Sequence, residues 1–390
     1  MSANRWLLPD GIDEVLPERA AQVELLRRQL LDLYHRWGYD LVIPPLVEFA
    51  DSLLSGTGAD LDLMTFRITD QLSGRMLGVR ADITPQAVRM DAHSLRREGP
   101  SRLCYAGTVL HTRPRRPLQS RAPISIGVEL FGESSVAADI EVIELFLATL
   151  VDVGVATPCL DIGHVDILRG LLADSGLAPA QRDELFELMQ RKASGEIDAF
   201  ISREVANGAL AQQLRALPTL IGGSEVLQRA EQQLAGAPPA VLAALAQLRA
   251  VVDALLPSGI NIHIDLSESP GFHYHTGVVF AAYLPGHGKA IGNGGRYDAI
   301  GAQFGRPRPA TGFAFDLKEL AGAAAVVANR GTGIFVAHAE QPDRRLQIEQ
   351  LRASGERVVE GFAGQRVDFA ELRCDRQLCW RDGSWQLERV

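Results

Sequence analysis

The sequence predicts an α+β fold: an antiparallel sheet with flanking helices, a helical insertion within it, and a small C-terminal α/β piece after it. Three observations carry this. Short β-type runs bounded by turn residues come in neighbouring pairs, Phe66 to Thr69 with Arg75 to Val79, and Leu103 to Leu110 with Ile124 to Phe131. Long apolar-periodic stretches stand before and after them. Between about Leu168 and Leu256 the composition shifts to Ala, Leu, Gln and Arg with Gly and Pro breaks, which reads as an all-helical interruption.

From Glu18 to Trp37 apolar residues recur at helical spacing (Val23, Leu26, Leu30, Leu33, Tyr34), and Gly38 closes the run as a helix C-terminal glycine does. Tyr39 to Ile43 is a short apolar strand stopped by Pro44-Pro45, which cannot donate ladder hydrogen bonds. Thr84-Pro85 opens a helix running past Arg89, and Val136 to Val153 is a strongly apolar helix suited to covering one face of the sheet. Inside the insertion the helical stretches are Pro179 to Lys192, Glu225 to Leu234 and Pro239 to Leu255. The strand signal returns in Ile260 to Leu266, Gly277 to Tyr283 and Ala290 to Ile291 with Gly292 to Asp298 after it, then Thr311 to Phe315 and a helix Leu317 to Ala325. From Arg330 onward come a strand (Ile334 to Ala337), a helix (Arg344 to Ser354) and further short elements. The domain expectation is therefore a core over residues 1–325, with its insertion at about 168–256, and a small C-terminal domain over 330–390.

The 390 residues are 46% hydrophobic and 22% charged, enough for one large core and appendages. A net charge of −9 argues against a surface dominated by phosphate contacts. Met1 to Asp10 lacks a charged-then-apolar secretion pattern and charge interrupts the longest apolar stretches, so a cytoplasmic protein with no membrane span is expected. The four cysteines, Cys104, Cys159, Cys374 and Cys379, are scattered; reduced thiols are expected, and no second Cys or His pair completes a zinc site with Cys374 and Cys379.

No Walker phosphate loop, dinucleotide-binding glycine pattern, nucleophile elbow or His-Glu-x-x-His is present. What stands out is four polar clusters inside apolar segments, where a polar residue needs a partner or a ligand. In Arg80-Ala81-Asp82-Ile83-Thr84, Asp82 and Thr84 point the same way if the strand extends that far, a pairing suited to an ammonium group; the alternative is a helix cap. Gly127-Val128-Glu129-Leu130-Phe131 places one carboxylate in the middle of an apolar strand, as a ligand-reading acid or as half of a structural ion pair. Gly271-Phe272-His273-Tyr274-His275-Thr276-Gly277 sets His273 and His275 on one side of an extended chain; with no recognisable ligand spacing beside them, core hydrogen bonding outranks a metal. Gly292-Asn293-Gly294-Gly295-Arg296-Tyr297-Asp298 permits close backbone approach and offers the planar donor fork of Arg296.

In this order the clusters resemble the catalytic core of class II aminoacyl-tRNA synthetases, and within that class histidyl-tRNA synthetase, over Leu8 to Ala325. Tyr39 to Phe49 stands at the first class motif, a dimer-interface segment. Cys104 to Gly132 matches the second motif, and Tyr274 to Phe280 and Gly294 to Asp298 match the two histidine-specific segments. The resemblance implies a class II synthetase-like sheet and a histidine pocket: Asp82 and Thr84 receive the ammonium, Glu129 reads the imidazole, and Tyr274, Arg296 and Tyr297 fall on matching positions. Ser125 replaces a pocket glutamine and His275 a pocket tyrosine.

The departures fall at the nucleotide. Where the synthetases grip the α-phosphate with an Arg and carry a Glu two residues later, this chain has His111 and Arg113. The third motif gives Lys318 and Glu319 for the usual Glu-Arg pair, and Pro270 stands where an Arg activates the carboxylate. At an effective dielectric near 20, two unit charges about 4 Å apart interact by roughly 4 kcal/mol, so an anion facing phosphate is a heavy penalty. A synthetase-like core so altered, with its Phe-His-Tyr-His-Thr-Gly-Val-Val-Phe segment and too little chain after Arg330 for a full anticodon-recognition domain, is similar to the regulatory subunits of ATP phosphoribosyltransferase. That resemblance implies a non-catalytic protein without a cofactor, binding free histidine through Asp82, Thr84, Arg113, Ser125, Glu129, Tyr274, His275, Arg296 and Tyr297. It also implies a homodimer within a hetero-oligomer with a short-form catalytic subunit, with feedback inhibition by histidine and no tRNA. The rival readings are an active histidyl-tRNA synthetase and a scaffold that activates its partner without binding histidine.

Overall fold

The computed structural model describes residues 6–55, 59–114, 119–155, 158–173, 175–267, 274–325 and 332–390. They form two compact units, Met1–Val326 and Val327–Val390. The first is built on a nine-stranded sheet, in spatial order Asp40–Leu41, Ser101–Thr108, Ile124–Phe131, Ala310–Asp316, Ala290–Arg296, Val278–Tyr283, Cys159–His164, Asn261–Asp265, Ile221–Gly222. Pairing is antiparallel except where Asp40–Leu41 meets Ser101–Thr108 and where Cys159–His164 meets Asn261–Asp265. The second exception has a topological cause. Between those two parallel strands lies the insertion, and a parallel pair needs such a crossover.

Period-two alternation gives the sheet two unlike faces. One carries Ile126, Val128, Leu130, Phe280, Phe313 and Phe315 into the main core, against the helices Pro17–Arg36 and Val136–Asp152. Phe146 of the latter sits at its centre, with ring centroids 5.1 Å from Phe280, 5.3 Å from Phe313 and 4.7 Å from Phe315. The other face is shallower: Leu103, Tyr105 and Tyr297 pack there with Ile83, Ala87 and Val88 and with Ile300 and Phe304. The candidate site lies on this second face.

The helix Pro239–Leu255 is, with the turn to Ser258, long and apolar enough to cross a membrane by length and composition. Its stripe Val241, Ala244, Leu245, Leu248, Val251, Val252 and Leu255 is buried in the main core, which is what an apolar face at helical spacing does in a globular unit. The insertion and its entry contain three α-helices beyond those read from the sequence, Val165–Ala173, Ser194–Glu204 and Gly208–Ala216. A separate three-stranded sheet, Val47–Phe49, Met76–Val79 and Phe66–Thr69, stands beside the large one. In the second unit Val358–Glu360, Gly333–Val336, Cys374–Arg381 and Ser384–Arg389 form a four-stranded sheet with the helix Arg344–Ala353.

Candidate functional site

Glu129 is the centre of the site. It is 1% exposed, on Ile124–Phe131, the third strand of the sheet. A lone carboxylate there is tolerable only if donors surround it, and three hydroxyls do. Thr84 Oγ1 donates to Oε1 at 2.8 Å and the Tyr105 hydroxyl to the same oxygen at 3.1 Å, while the Tyr297 hydroxyl donates to Oε2. Burial nevertheless pushes the carboxyl up to about 8, the hydroxyls opposing the shift and the nearby Asp82 adding to it. Burial raises the phenols of Tyr105, Tyr274 and Tyr297 as well.

Glycines make the space. Gly312 stands opposite Glu129 on the neighbouring strand, and a Cβ there would lie 1.9 Å from Glu129 Oε2. Gly295 follows in the same row, where a Cβ would meet the His275 ring at 2.9 Å. Gly127, opposite Tyr105, would place its Cβ 2.8 Å from the phenol oxygen. The sheet face here is thus bare backbone, covered by the Glu129 carboxylate over one glycine and the His275 imidazole over the next.

Asp82 and Thr84 do come together, but not on an extended strand: the preceding strand ends at Val79. The Asp82 carboxylate turns the chain by accepting from Thr84 N at 3.3 Å and Thr84 Oγ1 at 3.4 Å, the local side-chain-to-backbone closure that favours Asp before a helix. The helix Thr84–Arg89 starts there. Tyr274 lies against Tyr297, centroids 5.3 Å apart, and against His275 at 5.2 Å. Among the described residues the Tyr274 hydroxyl is enclosed without a well-formed hydrogen bond, its near polar neighbour being Thr84.

Arg296 lies apart from the cluster. Alternation sends it to the opposite face from Tyr297, where Nε reaches Asp139 at 3.0 and 3.1 Å, Nη2 meets Asp139 at 3.0 Å and the Ser135 carbonyl at 3.3 Å, and Nη1 meets Asp298 and the Glu133 carbonyl at 3.2 Å. It clamps helix to sheet and does not face Glu129. Arg113 is exposed, two residues past a bridge between His111 and Thr65, and stays outside the buried cluster. Ser125 shares the face of Glu129 but stands four residues along the strand, opposite Gly107 and Asp316. Tyr105, absent from the residues read out of the sequence, is a full member of the cluster. It faces Gly127 in the strand paired with that of Glu129, a register the sequence alone does not reveal. His273 and Pro270 lie outside the described residues. Among the described residues no His, Cys, Asp and Glu grouping could hold a metal.

The sequence profile of histidyl-tRNA synthetase matches residues 11–320, and that of the ATP phosphoribosyltransferase subunit HisZ C-terminal domain matches 330–388. An ATP phosphoribosyltransferase regulatory subunit from Chromohalobacter salexigens is 53% identical over 388 residues, covering 99% of this chain and 98% of the relative. One from Pseudomonas aeruginosa is 50% identical over 389 residues, 99% of this chain and 98% of that one. The chain belongs to the family of ATP phosphoribosyltransferase regulatory subunits. Among solved structures, an ATP phosphoribosyltransferase regulatory subunit/histidyl-tRNA synthetase from Bacillus halodurans superposes with a TM-score of 0.82 at 27% identity, over 94% of this chain and 96% of its own. A histidyl-tRNA synthetase from a Nostoc species, 17% identical, shares the fold with a TM-score of 0.79 over 96% and 91% of the two chains.

Membership in this family makes the chain the non-catalytic subunit of ATP phosphoribosyltransferase in histidine biosynthesis, with a catalytic phosphoribosyltransferase chain as its partner. The positions that depart from a synthetase behave accordingly. His111 is buried, its Nε2 3.0 Å from the Ala81 carbonyl. Lys318 is buried and ion-paired with Asp13 at 3.0 Å, and Glu319 is ion-paired with Lys289. The lone cation left in the third motif is thus neutralised from within the chain.

Proposed function

We propose that free histidine occupies the pocket around Glu129 and that its occupancy lowers the activity of a short-form catalytic phosphoribosyltransferase subunit. The observation that carries this is the buried Glu129 carboxylate, ringed by three hydroxyls over a glycine floor beside the unsatisfied Tyr274 hydroxyl. A buried acid so arranged can accept an imidazole N–H, and Asp82 with Thr84 supplies the acceptor and hydroxyl for an ammonium. Ser125 and His275 are proposed to shape the same pocket; Arg296 supports it from the opposite face, and Arg113 borders it from the surface. Inhibition then follows if histidine binds one of two states of the complex more tightly than the other.

Calorimetric titration of the chain with histidine, alone and with the catalytic subunit, should give saturable binding. Absence of heat in both would overturn the histidine reading in favour of a scaffold role. In the same preparations, histidine-dependent exchange of pyrophosphate into ATP should stay at background, because His111 and Glu319 stand where the synthetases place phosphate-gripping arginines and Lys318 is ion-paired with Asp13.

The proposed assembly is a homodimer within the hetero-oligomer, without tRNA and in the cytoplasm, with a synthetase-like core over 1–325 and a C-terminal domain over 330–390. Supporting the dimer, Leu41, Ile43, Leu46, Val47 and Phe49 are exposed, and Ile68, in the same cross-strand row of the small sheet as Phe49, is exposed beside them. Apolar side chains clustered this densely mark an association surface. Ile43→Asp should shift the chain from dimer to monomer in sedimentation velocity; an unchanged dimer would place the interface elsewhere.

A further inference from the structure

The middle strand of the nine, Ala290–Arg296, has one exposed residue, Asn293. Alternation fixes the face on which it lies. A Cβ on Gly292 would meet Phe315 and Phe146 of the main core, and one on Gly295 would meet His275, so Asn293 stands on the side of Gly295 and Glu129. Its cross-strand neighbours are Ala281 on one side and Ala314 on the other. Neither offers a partner, and among the described residues the Asn293 amide makes no hydrogen bond. Asparagine is depleted in strands, and cross-strand side-chain pairs are what stabilise a strand position. An unpaired asparagine in the middle of the sheet therefore adds nothing to the fold.

The row in which it lies shows what the amide can do. From the strand of Glu129 outward that row runs Gly127, Ala314, Asn293, Ala281, Asp161, and of these five Asn293 alone carries a side-chain N–H. Asp161, at the far end, is already held against His263 Nδ1 at 2.8 Å. The small residues on either side leave the amide standing clear of its neighbours and open to solvent. Two residues along the strand, Gly295 is in line with Gly312 and Glu129. With strands about 4.8 Å apart and residues about 3.4 Å apart along them, Asn293 and Glu129 are about 12 Å apart across the face, roughly the reach of one amino acid with a hydrogen bond at each end.

We infer that Asn293 contacts the ligand and reads the carboxylate of histidine, so that the site selects the amino acid over imidazole compounds that lack a carboxylate. This rests on the histidine reading above, which gives the imidazole to Glu129 and the ammonium to Asp82 and Thr84. The carboxylate is the end of the ligand left over, and the acids Glu129, Asp82 and Asp161 repel it. An amide N–H donating to a carboxylate is a charge-assisted hydrogen bond, stronger than one between neutral groups. A neutral donor also suits a face populated by acids, because a cation in its place would pair with them and not with the ligand. Selectivity then comes from both signs at once: attraction of the carboxylate at Asn293, and repulsion wherever else it could settle.

The test titrates the full chain calorimetrically, with and without the catalytic subunit, using histidine and histidinol, which keeps the imidazole and the ammonium but carries an alcohol in place of the carboxylate. The wild type should bind histidine about ten-fold more tightly than histidinol. Asn293→Ala should weaken histidine by about that factor and leave histidinol unchanged, erasing the preference. Asn293→Asp should weaken histidine further, since it sets one carboxylate against another, and should not weaken histidinol; being the same shape as the wild-type residue, it carries the test alone if Asn293→Ala does not fold. An equal loss for both ligands marks a merely structural role and would overturn the inference, as would a wild-type chain that binds the two ligands equally or variants that keep the wild-type preference. In each of those cases the histidine reading stands. Failure of the wild-type chain to bind histidine at all would overturn both.

Discussion

Glu129→Gln should release the phosphoribosyltransferase complex from inhibition by histidine while leaving the complex assembled. The carboxylate accepts from Thr84, Tyr105 and Tyr297, and an amide placed there turns one of its two oxygens into a donor facing hydroxyls. Hydrogen bonds to a charged group contribute about 1.5–3 kcal/mol, so histidine should bind roughly ten- to a hundred-fold more weakly. The sign of the pH dependence follows from burial, which raises the carboxyl to about 8. A raised carboxyl favours folding in its protonated form; that contribution is complete below the ordinary glutamate range and is lost as pH climbs through about 8. The wild type should therefore lose thermal stability relative to Glu129→Gln as pH rises from the ordinary glutamate range to about 8, and no further above it. Histidine donating to Glu129 favours the ionised form, so binding near neutrality should release a proton, seen as a dependence of the titration heat on buffer ionisation enthalpy. The Gln variant should show no such release. An inhibition constant unchanged by Glu129→Gln would remove the pocket from consideration.

Glu129 was legible in the sequence because a charge amid Val128, Leu130 and Phe131 has no inexpensive bland explanation. The helices whose apolar spacing faces one core were legible too: Pro17–Arg36, Val136–Asp152 and Pro239–Leu255 fall within a residue or two of their expected bounds. What was hidden depended on face and register. Tyr105 reads as an ordinary core aromatic until its strand is set against Gly127. The Asp82–Thr84 pairing was anticipated from strand alternation, whereas the structure reaches it through a turn, a local closure that competes with extended structure wherever Asp is available. Ser194–Glu204 and Gly208–Ala216 carry shorter apolar stripes, and the hairpin of Cys374–Arg381 with Ser384–Arg389 is too polar on both sides to show a period of two.

The pocket and the fold are linked through one strand, Ala290–Arg296, whose last residues divide labour between the two faces of the sheet. Gly295 clears the floor for His275 on the pocket side, and Tyr297 just beyond the strand reaches Glu129. Arg296 between them locks the strand to the helix Val136–Asp152 through Asp139. The string Gly-Gly-Arg-Tyr-Asp is thus one edge of the Glu129 cluster and a structural bolt interleaved. That interleaving explains why the motif is specific as a whole although its residues do different things.

Replacing one member of the bolt separates these roles. Arg296 and Asp139 are 5% and 4% exposed, and burial pushes the Asp139 carboxyl up against the pull of Arg296. Asp139→Ala leaves a buried guanidinium with only carbonyls and Asp298, and breaking such a pair costs about 3–5 kcal/mol. Thermal unfolding should therefore move down by roughly five degrees. Arg296→Met should lose stability to a similar degree, with residual histidine affinity within a few-fold of wild type in the folded fraction. The double variant Arg296→Met with Asp139→Leu should recover much of the loss, because a well-packed apolar pair can replace a buried ion pair at little cost. A ligand-reading arginine behaves in the opposite way: Arg296→Met would abolish histidine binding at nearly unchanged stability, and the Asp139→Leu substitution would rescue nothing. Melting curves and histidine titrations of the two single variants and the double variant decide between a bolt and a reader.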